Sequence, residues 1–501
     1  MNIHVPDNLR FNFDNSYARD LEGFYTPWQA EPVPEPRLLA FNRELAAELG
    51  LNPDALQTDA GTAIFAGNQK PDGATPIAQA YAGHQFGGFS PKLGDGRALL
   101  LGELIDTHGM RRDVQLKGSG RTPFSRGGDG KAAVGPVLRE YLMGEAMHAL
   151  GIPTTRALAA VSTGEPVLRE TPLPGAILTR VAASHIRVGT FQYFAVRKDW
   201  PKIRQLADYV IARQYPEIGA ADTDQARNPY LALFHAVMAA QAKLVASWMH
   251  VGFIHGVMNT DNMSISGETI DYGPCAFMDR YAPDTVFSSI DSQGRYAYAN
   301  QPVMAQWNLA RFAETLLTVV DPDIDRATEL LTEAVSAFPT IYQENWLSGM
   351  RLKLGMTTEA DEDPELVNDL FRAMHGQGAD YTLVFRHLSD AVKGNDAPLQ
   401  SLFDDVSDFL IWTEKWHARL ALEDVSQQAR AAAMDAVNPL YILRNHKVEE
   451  ALSAAVERDD LKPFDQLLDV IRDPFTAREG LDDYAKPAPR NAVPYQTFCG
   501  T

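Results

Sequence analysis

The residues best suited to chemistry lie in one stretch near the middle of the chain, positions 255–273, which reads HGVMNTDNMSISGETIDYG. Within it, Asn262 and Asp271 supply amide and carboxylate oxygens, the hard ligands that Mg²⁺ prefers. The ion commonly takes one or two such side chains and completes its shell with nucleotide phosphates. On the two arms of a predicted hairpin, these side chains can converge on one ion. The stretch therefore predicts a metal site for nucleotide chemistry.

The spacing of this stretch matches the catalytic loop of protein kinases, with one replacement. His255 and Asn262 are spaced as in H-R-D-x-x-x-x-N, and Asp271 begins a D-Y-G where D-F-G follows in kinases. The kinase base, two residues after the His, is replaced by Val257. Positioning and charge neutralisation dominate phosphoryl transfer, so a site without that base can still be active. We interpret His255 as structural, while Asp261 could cap the turn, hold a water or take a proton.

A second group of candidate residues lies upstream, on predicted strands and a predicted helix. Lys117 ends the strand-like DVQLK, as a phosphate-pairing lysine ends a kinase strand. Glu140 follows in the next predicted helix, where it can form the ion pair that positions such a lysine. In LGDGRA, Gly94 and Gly96 let the backbone approach a phosphate or ribose closely, beside Arg97. The order of these residues predicts a nucleotide site next to the metal ligands.

Positive charge collects in this region although the chain as a whole is acidic. The net charge is −20, yet residues 92–139 hold more Lys and Arg than Asp and Glu. Arg180 and Arg187 add two guanidinium groups, which can contact phosphate in a bidentate manner. The glycine-rich loop 119–131 is predicted to be a lid that closes on the ligand. Such a cleft would attract a nucleotide triphosphate with its metal ion.

The composition narrows the class of protein. A net charge of −20 argues against a general nucleic-acid binder, which needs a basic surface. The start of the chain lacks the apolar core of a signal peptide, and no apolar run predicts a membrane span. Cys275 and Cys499 are the only cysteines, so no disulfide framework exists and one internal disulfide is the sole pairing left. Neither lies in a C-x-x-C pair, which argues against a structural zinc site. We expect a monomeric, cytoplasmic protein.

The local patterns predict an α+β fold. Strands are expected at RALLLGEL, RDVQLKG and AILTRV, with a helix over Val134–Leu150 between the last two. A long apolar helix over 228–252 precedes the catalytic stretch, in which MSIS and ETIDYG are predicted to pair as a hairpin across Gly267. A helical stretch is expected at Leu38–Leu49, and successive amphipathic helices are expected over 307–472.

We predict four parts along the chain. Residues 1–75 form a wrapping N-terminal extension, since their prolines favour extended backbone. Residues 76–200 form an N-lobe with glycine-rich nucleotide-binding loops. Residues 201–340 form a helical C-lobe with the metal-binding loop and hairpin. Residues 341–501 form a helical C-terminal extension that ends in a Cys-containing tail.

Several long motifs resemble the selenoprotein O family. They are YAGHQFGGFSPKLGDGRA, DVQLKGSGRTPFSRGGDGKA, HGVMNTDNMSI with DYGP, and NPLYILRN near the C-terminus. The resemblance implies a two-lobed, protein-kinase-like fold with a nucleotide reversed relative to kinases, so that the α-phosphate faces the acceptor. It implies transfer of AMP from ATP to Ser, Thr or Tyr hydroxyls of proteins, with UTP used by some members, and release of pyrophosphate. A reversed nucleotide also explains why an apolar Val257 is tolerated.

The resemblance also implies roles for individual residues. Asp261 would accept a proton, and Asn262 and Asp271 would bind Mg²⁺ or Mn²⁺. The nucleotide-binding positions carried over from the family are Gly94, Gly96, Arg97, Lys117, Asp129, Gly130, Arg180, Arg187 and Asp271. The tail departs from the family, since it reads TFCGT where bacterial relatives end in Cys-Ser-Ser, and Cys275 stands where an aromatic is common. These departures put a redox role in doubt more than catalysis.

Two other functions remain open at this point. A true kinase, acting on a protein or a small molecule, is favoured by the His, Asn and Asp-x-Gly arrangement and opposed by Val257. A nucleotide-binding pseudokinase scaffold is favoured by the missing base and opposed by the retention of both metal ligands.

Overall fold

The computed structural model describes residues 9–220 and 228–497. In the described part, eight strands form one antiparallel sheet in the order β1-β3-β6-β7-β10-β9-β2, and β8 pairs with β10. Two short pairs, β4 with β5 and β11 with β12, lie outside it. The strands are β1 Tyr25–Pro27, β2 Arg37–Phe41, β3 Ile77–Gln79, β4 Gly83–Gln85, β5 Gly88–Ser90, β6 Ala98–Ile105, β7 Arg111–Lys117, β8 Ala132–Ala133, β9 Arg156–Leu168, β10 Pro172–Ala182, β11 Phe253–Ile254 and β12 Ala276–Phe277.

The helices fall before, within and after this set of strands. They are α1 Ser16–Asp20, α2 Arg43–Glu48, α3 Pro53–Leu56, α4 Asp59–Phe65, α5 Val134–Ala149, α6 Val188–Ala195, α7 Trp200–Gln214, α8 Glu217–Ala220, α9 Pro229–His250, α10 Gln301–Val320, α11 Ile324–Ser336, α12 Phe338–Lys353, α13 Asp363–Met374, α14 Tyr381–Val392, α15 Ala397–Gln400, α16 Ser407–Leu420, α17 Gln427–Asp435, α18 Asn445–Arg458, α19 Lys462–Arg472 and α20 Asp482–Ala485. A mixed architecture with one antiparallel sheet and many helices confirms the predicted α+β class at this level.

The N-terminal segment differs from the prediction of one helical stretch over Leu38–Leu49. Its first half is strand β2, which pairs with β9, and only its second half is helix α2. The side chain of Asn42 begins that helix by accepting a hydrogen bond from the Leu45 amide at 3.1 Å. Pairing with the edge of β9 therefore outweighs the helical preference of residues 38–41. With β1 on the opposite edge, this segment supplies both ends of the sheet's strand order.

The sheet and the central helices share one hydrophobic core. Helix α5 follows the predicted Val134–Leu150 helix closely and packs on β9 and β10. Helices α18 and α19 return from the far end of the chain to cover α5. Helices α12 to α17 bury a second cluster that includes Trp412 and Trp416. Helix α5 is therefore packed between the sheet and helices from the C-terminal part of the chain.

The long apolar segment forms α9, as predicted, and it packs against α10 and α12. By length and composition alone, this is the one helix in the described residues that could cross a membrane, with a mean hydropathy of 1.3. Within the fold, 61% of that window is buried. A core helix of a folded domain passes the same test, because a helix covered on most sides needs few polar residues.

The predicted hairpin over 263–273 is not formed. Gly267 makes a turn with φ of 74°, but the flanking segments pair with other parts of the chain. Ser264 bridges to Arg187, and Thr269 bridges to Thr154. A hairpin and two diverging extended segments have the same apolar and polar pattern, and tertiary partners decide between them. Both segments are thereby tied to chain that precedes α6 and β9.

Candidate active site

A cavity of about 990 Å³ opens between the sheet, the start of α5 and the loop 255–273. Every residue that the sequence predicted for the site lines this one cavity, although the residues span 178 positions of the chain. They are Gly94, Gly96, Arg97, Lys117, Asp129, Gly130, Glu140, Arg180, Arg187, Asp261, Asn262 and Asp271.

Three cations converge on the carboxylate of Asp271. Lys117 Nζ lies 3.1 Å and Arg180 Nη1 lies 2.6 Å from Oδ1, while Arg187 Nη1 donates to Oδ2. Burial by itself would raise the pKa of this carboxyl, but Arg187, Arg180 and Lys117 outweigh it and hold the pKa well below 3.8. Asp271 is therefore a permanently charged centre of the cavity.

Neighbouring strands and α5 place these cations. Lys117 ends β7, and its Nζ lies 2.6 Å from Oε2 of Glu140 on α5. Arg180 comes from β10, directly opposite Gln115 of β7. Its Nε donates to Gln115 Oε1 at 2.7 Å, and its Nη1 lies 3.3 Å from Glu140 Oε1. Glu140 thus contacts both a lysine and an arginine, so the side chains of two strands and one helix are fixed together.

The other predicted metal ligand and the neighbouring carboxylate lie on a 3₁₀ turn, Thr260–Asn262. Asn262 donates its amide nitrogen to the carbonyl of Val257 at 3.0 Å, which leaves its amide oxygen for a ligand. Asp261 is buried, and burial raises its pKa to about 6. His255 bonds the carbonyl of Ile270 through Nε2 at 2.9 Å, the structural role that the sequence indicated.

The glycine turn and the predicted lid pack directly on each other. The ring of Phe124 fills the space where a side chain on Gly94 would lie, since an added Cβ would be 2.3 Å from it. Thr122 Oγ1 donates to the carbonyl of Asp95 at 2.6 Å, and Ser125 Oγ donates to the carbonyl of Gly96. The middle of the loop 119–131 therefore packs on the glycine turn.

Comparison with known proteins agrees with this geometry. The family described as Protein adenylyltransferase SelO matches residues 7–472. The chain belongs to the SelO family. It is 61% identical to the protein nucleotidyltransferase YdiU of Cereibacter sphaeroides over 495 residues, 98% of this chain and 100% of that protein. The YdiU proteins of Rhizobium meliloti and of a Mycobacterium species are 58% and 57% identical, each over 98% of this chain and 99% of their own length.

These matches confirm the predicted family and the predicted enzyme class, a nucleotidyltransferase that acts on proteins.

Three residues of this SelO-family chain contact the site without having been predicted for it. The Arg187 guanidinium lies 4.6 Å from the ring centre of Tyr81. Arg169 Nη1 lies 2.7 Å from Oδ2 of Asp129 and thereby ties down the end of the lid. Gln85 donates to Asp261 at 3.2 Å. Tyr81 and Gln85 lie in the motif YAGHQFGG, but a tyrosine and a glutamine there carry no spacing signal that marks them as site residues.

Of the two cysteines, only Cys275 lies in the part of the chain that the structure describes. Cys275 is fully buried, and burial raises the pKa of its thiol to about 12, so it is not a reactive thiolate. Its carbonyl accepts a hydrogen bond from Arg139 at 2.5 Å. Cys499 lies outside the described residues, and so does any disulfide between the two cysteines.

Proposed function

We propose that this chain transfers AMP from ATP to the hydroxyl of a Ser, Thr or Tyr on a protein and releases pyrophosphate. UTP is proposed as a second nucleotide. The observation that carries the proposal is the convergence of Lys117, Arg180 and Arg187 on Asp271 in one large cavity, with apolar Val257 where a kinase places its base. That is more positive charge than a lysine and glutamate pair provides, and it suits a triphosphate whose outer phosphates leave together.

The cavity wall offers three kinds of phosphate contact. The backbone of Gly94 and Gly96 is bare enough for close approach. The start of α5 lies in the wall through Gly135 and Pro136, and a helix N-terminus favours anions. The remaining proposed nucleotide ligands are side chains or a loop glycine: Arg97, Lys117, Asp129, Gly130, Arg180, Arg187 and Asp271.

The donor set fits a divalent metal. Asn262 and Asp271 supply only oxygens, and no group of three or more His, Cys, Asp or Glu side chains that could hold a metal ion by themselves occurs in the described residues. Such a pair suits Mg²⁺ or Mn²⁺ that shares the phosphate oxygens of the substrate. When bound, the ion would neutralise charge on the nucleotide phosphates. Asp271 would remain ionised for this purpose because its arginine partners keep its pKa low.

Asp261 is proposed to take the proton of the acceptor hydroxyl. The acceptor oxygen would bond to the α-phosphorus, the bridge between the α- and β-phosphates would break, and the electron pair would leave with pyrophosphate. The peptide carbonyl of Asp261 accepts from Arg187 Nη1 at 2.6 Å, so the arginine that faces the phosphates also holds the loop of the proton acceptor. Arg187 thereby connects the proposed proton acceptor with the proposed phosphate site.

At the level of the fold, we propose a two-lobed arrangement like that of protein kinases. The parts are the four given above: an extension over 1–75, an N-lobe over 76–200, a C-lobe over 201–340 and a helical extension over 341–501. Strands β3 to β10 and α5 would form the N-lobe, and the C-lobe would contain α9 with the loop after it. A monomer in the cytoplasm, free of membrane and nucleic acid, is proposed with it, in keeping with the charge of −20.

The test is to follow which phosphorus moves. The purified chain is incubated with protein acceptors and with ATP labelled either at the α- or at the γ-phosphate, and Mg²⁺ and Mn²⁺ are compared. We expect protein-bound label from the α position only, with one pyrophosphate for each AMP attached. Label from the γ position would establish a kinase instead. Nucleotide binding with no label from either position would establish a scaffold.

A further inference from the structure

The β-hairpin of β4 and β5 lies over the loop that carries Asp261. Its pairing register leaves Phe86 and Gly87 as a two-residue turn, and both have positive φ, 50° and 84°. This is the pattern of a type I′ turn, whose positions favour Asn, Asp or Gly. A phenylalanine in the left-handed region is strained, so contacts outside the hairpin must hold it there. The ring of Phe86 lies 5.2 Å from that of Tyr296, which is one such contact.

Three successive hairpin residues bond three successive loop residues. The bonds are His84 N to Thr260 Oγ1 at 2.7 Å, Gln85 Nε2 to Asp261 Oδ2 at 3.2 Å, and Phe86 N to Asn259 Oδ1 at 3.0 Å. The first and last of these bonds use the hairpin backbone, and the middle one uses a side chain. The two backbone bonds hold the hairpin on the loop. The side-chain amide of Gln85 is therefore not needed for that contact, and it donates to the Asp261 carboxylate.

The two oxygens of Asp261 have different surroundings. Oδ1 is buried and has no hydrogen-bond partner in the described residues. Gly83 covers it so closely that a Cβ there would lie 2.5 Å from Oδ1. Oδ2 is the oxygen that Gln85 contacts, and both residues line the cavity. Any chemistry of this carboxylate toward the cavity must therefore use Oδ2.

Resting on the proposed transfer of AMP to a hydroxyl, we infer that Gln85 is a positioning residue that orients Asp261 Oδ2 toward the acceptor. A carboxylate oxygen has two lone pairs, and one amide N–H occupies only one of them. The other lone pair stays available for the acceptor proton. Without the amide, the carboxylate can rotate away, because Gln85 donates the one side-chain hydrogen bond that Asp261 receives in the described residues.

The test replaces the donor at constant size. Gln85→Glu puts an acceptor where Oδ2 needs a donor, and we expect kcat for AMP transfer to fall roughly ten- to a hundred-fold, within the usual contribution of a positioned base. Because Gln85→Glu also adds a negative charge to the cavity, Gln85→Met is measured beside it, since it removes the donor without adding charge. We expect Gln85→Met to lower kcat in the same range while its KM for ATP stays at the wild-type value. Gln205→Glu makes the same change at an exposed glutamine and should leave kcat unchanged.

A double-mutant cycle separates positioning from a general structural effect. In the Asp261→Asn background, Gln85→Glu should cause no further loss of kcat, because the pair again has one donor and one acceptor and the proton acceptor is already gone. An independent second loss would overturn the inference. If wild type transfers AMP and Gln85→Glu keeps its kcat, the inference alone fails. If wild type transfers no AMP at all, the proposed function fails and the inference falls with it.

Discussion

Asp271 and Lys353 are both ionisable residues inside the fold, but among the described residues only Asp271 has partners of opposite charge. Asp271, in the cavity, is within ion-pairing distance of three cations. Lys353, in the helical core beside α14, is only 4% exposed and has no carboxylate within ion-pairing distance in the described part of the chain. Its Nζ lies 4.3 Å from the ring centre of Phe385 instead. The two residues therefore differ in whether the buried charge has partners of opposite sign.

The consequences for protonation are opposite as well. The pKa of Asp271 is held well below its ordinary value of 3.8, so the carboxylate is ionised near neutral pH. Burial lowers the pKa of Lys353 to about 7, so its charge is lost near neutral pH. Asp271 stays charged because cations surround it, whereas Lys353 is buried without such partners in the part of the chain that the structure describes and loses its proton near neutral pH.

Removing Asp271 should give the largest effect. Asp271→Ala deletes the common partner of Lys117, Arg180 and Arg187 together with a proposed metal ligand. We expect AMP transfer to fall by at least roughly a hundred- to a thousand-fold, the scale of losing one preorganised charge contact. Circular dichroism should show a folded protein, and Asp271→Asn, which keeps the volume, serves as the matched variant. Substantial transfer by a folded Asp271→Ala protein would take Asp271 out of the site.

Weakening the pairing around the lysine should have a smaller effect. Lys117→Met and Glu140→Gln each break the 2.6 Å ion pair, and we expect roughly a hundred-fold loss of kcat/KM from the lysine change. The double variant should be little worse than Lys117→Met, because contacting residues couple strongly in such cycles. Two losses that simply multiply would show that the pair does not work as a unit. Steady-state transfer of AMP with varied ATP measures all four proteins.

Much of this site could be predicted from sequence because its signals are local. Lys117 stands at the end of a strand, Glu140 stands in the helix that follows, and both elements formed where their patterns indicated. The loop 255–273 was recognisable by spacing, and His255 has the structural role assigned to it. Short-range order along the chain was enough for these residues, since strand, turn and helix fix their relative positions.

The parts that were missed depend on contacts between distant segments. Gln85 and Asp261 are 176 positions apart, and no periodicity or motif chemistry joins a glutamine to that loop. The hairpin expected over 263–273 failed for the same reason, because Ser264 and Thr269 found partners at Arg187 and Thr154. Likewise β2 replaced half of a predicted helix by pairing with β9. Local pattern cannot tell which distant edge will compete for a strand.

The smallest expected effect is the dependence of folding stability on pH that the buried Lys353 causes. The folded pKa of about 7 lies below the ordinary value of 10.5, so between these two values the unfolded chain binds a proton that the folded chain does not. Folding stability must then rise with pH across that window, by up to about 1.4 kcal/mol per pH unit from this one group. His250, the titratable neighbour on α9, has a pKa lowered to about 4 by burial and stays neutral throughout.

Lys353→Met removes this titration and keeps a flexible apolar chain of similar length. We expect the variant to be more stable than wild type near pH 7, and its advantage should shrink steadily as the pH rises toward 10.5, because the wild-type lysine then costs less to bury. Urea denaturation of both proteins at a series of pH values measures the difference in their free energies of unfolding. Other groups that titrate in this range contribute equally to both proteins, so their effects cancel in the difference. Lys243→Met makes the same change at an exposed position on α9 and should give a difference that does not depend on pH. A flat difference for Lys353→Met as well would mean that Lys353 keeps its proton inside the fold, and the contrast with the paired charges around Asp271 would then be one of geometry alone.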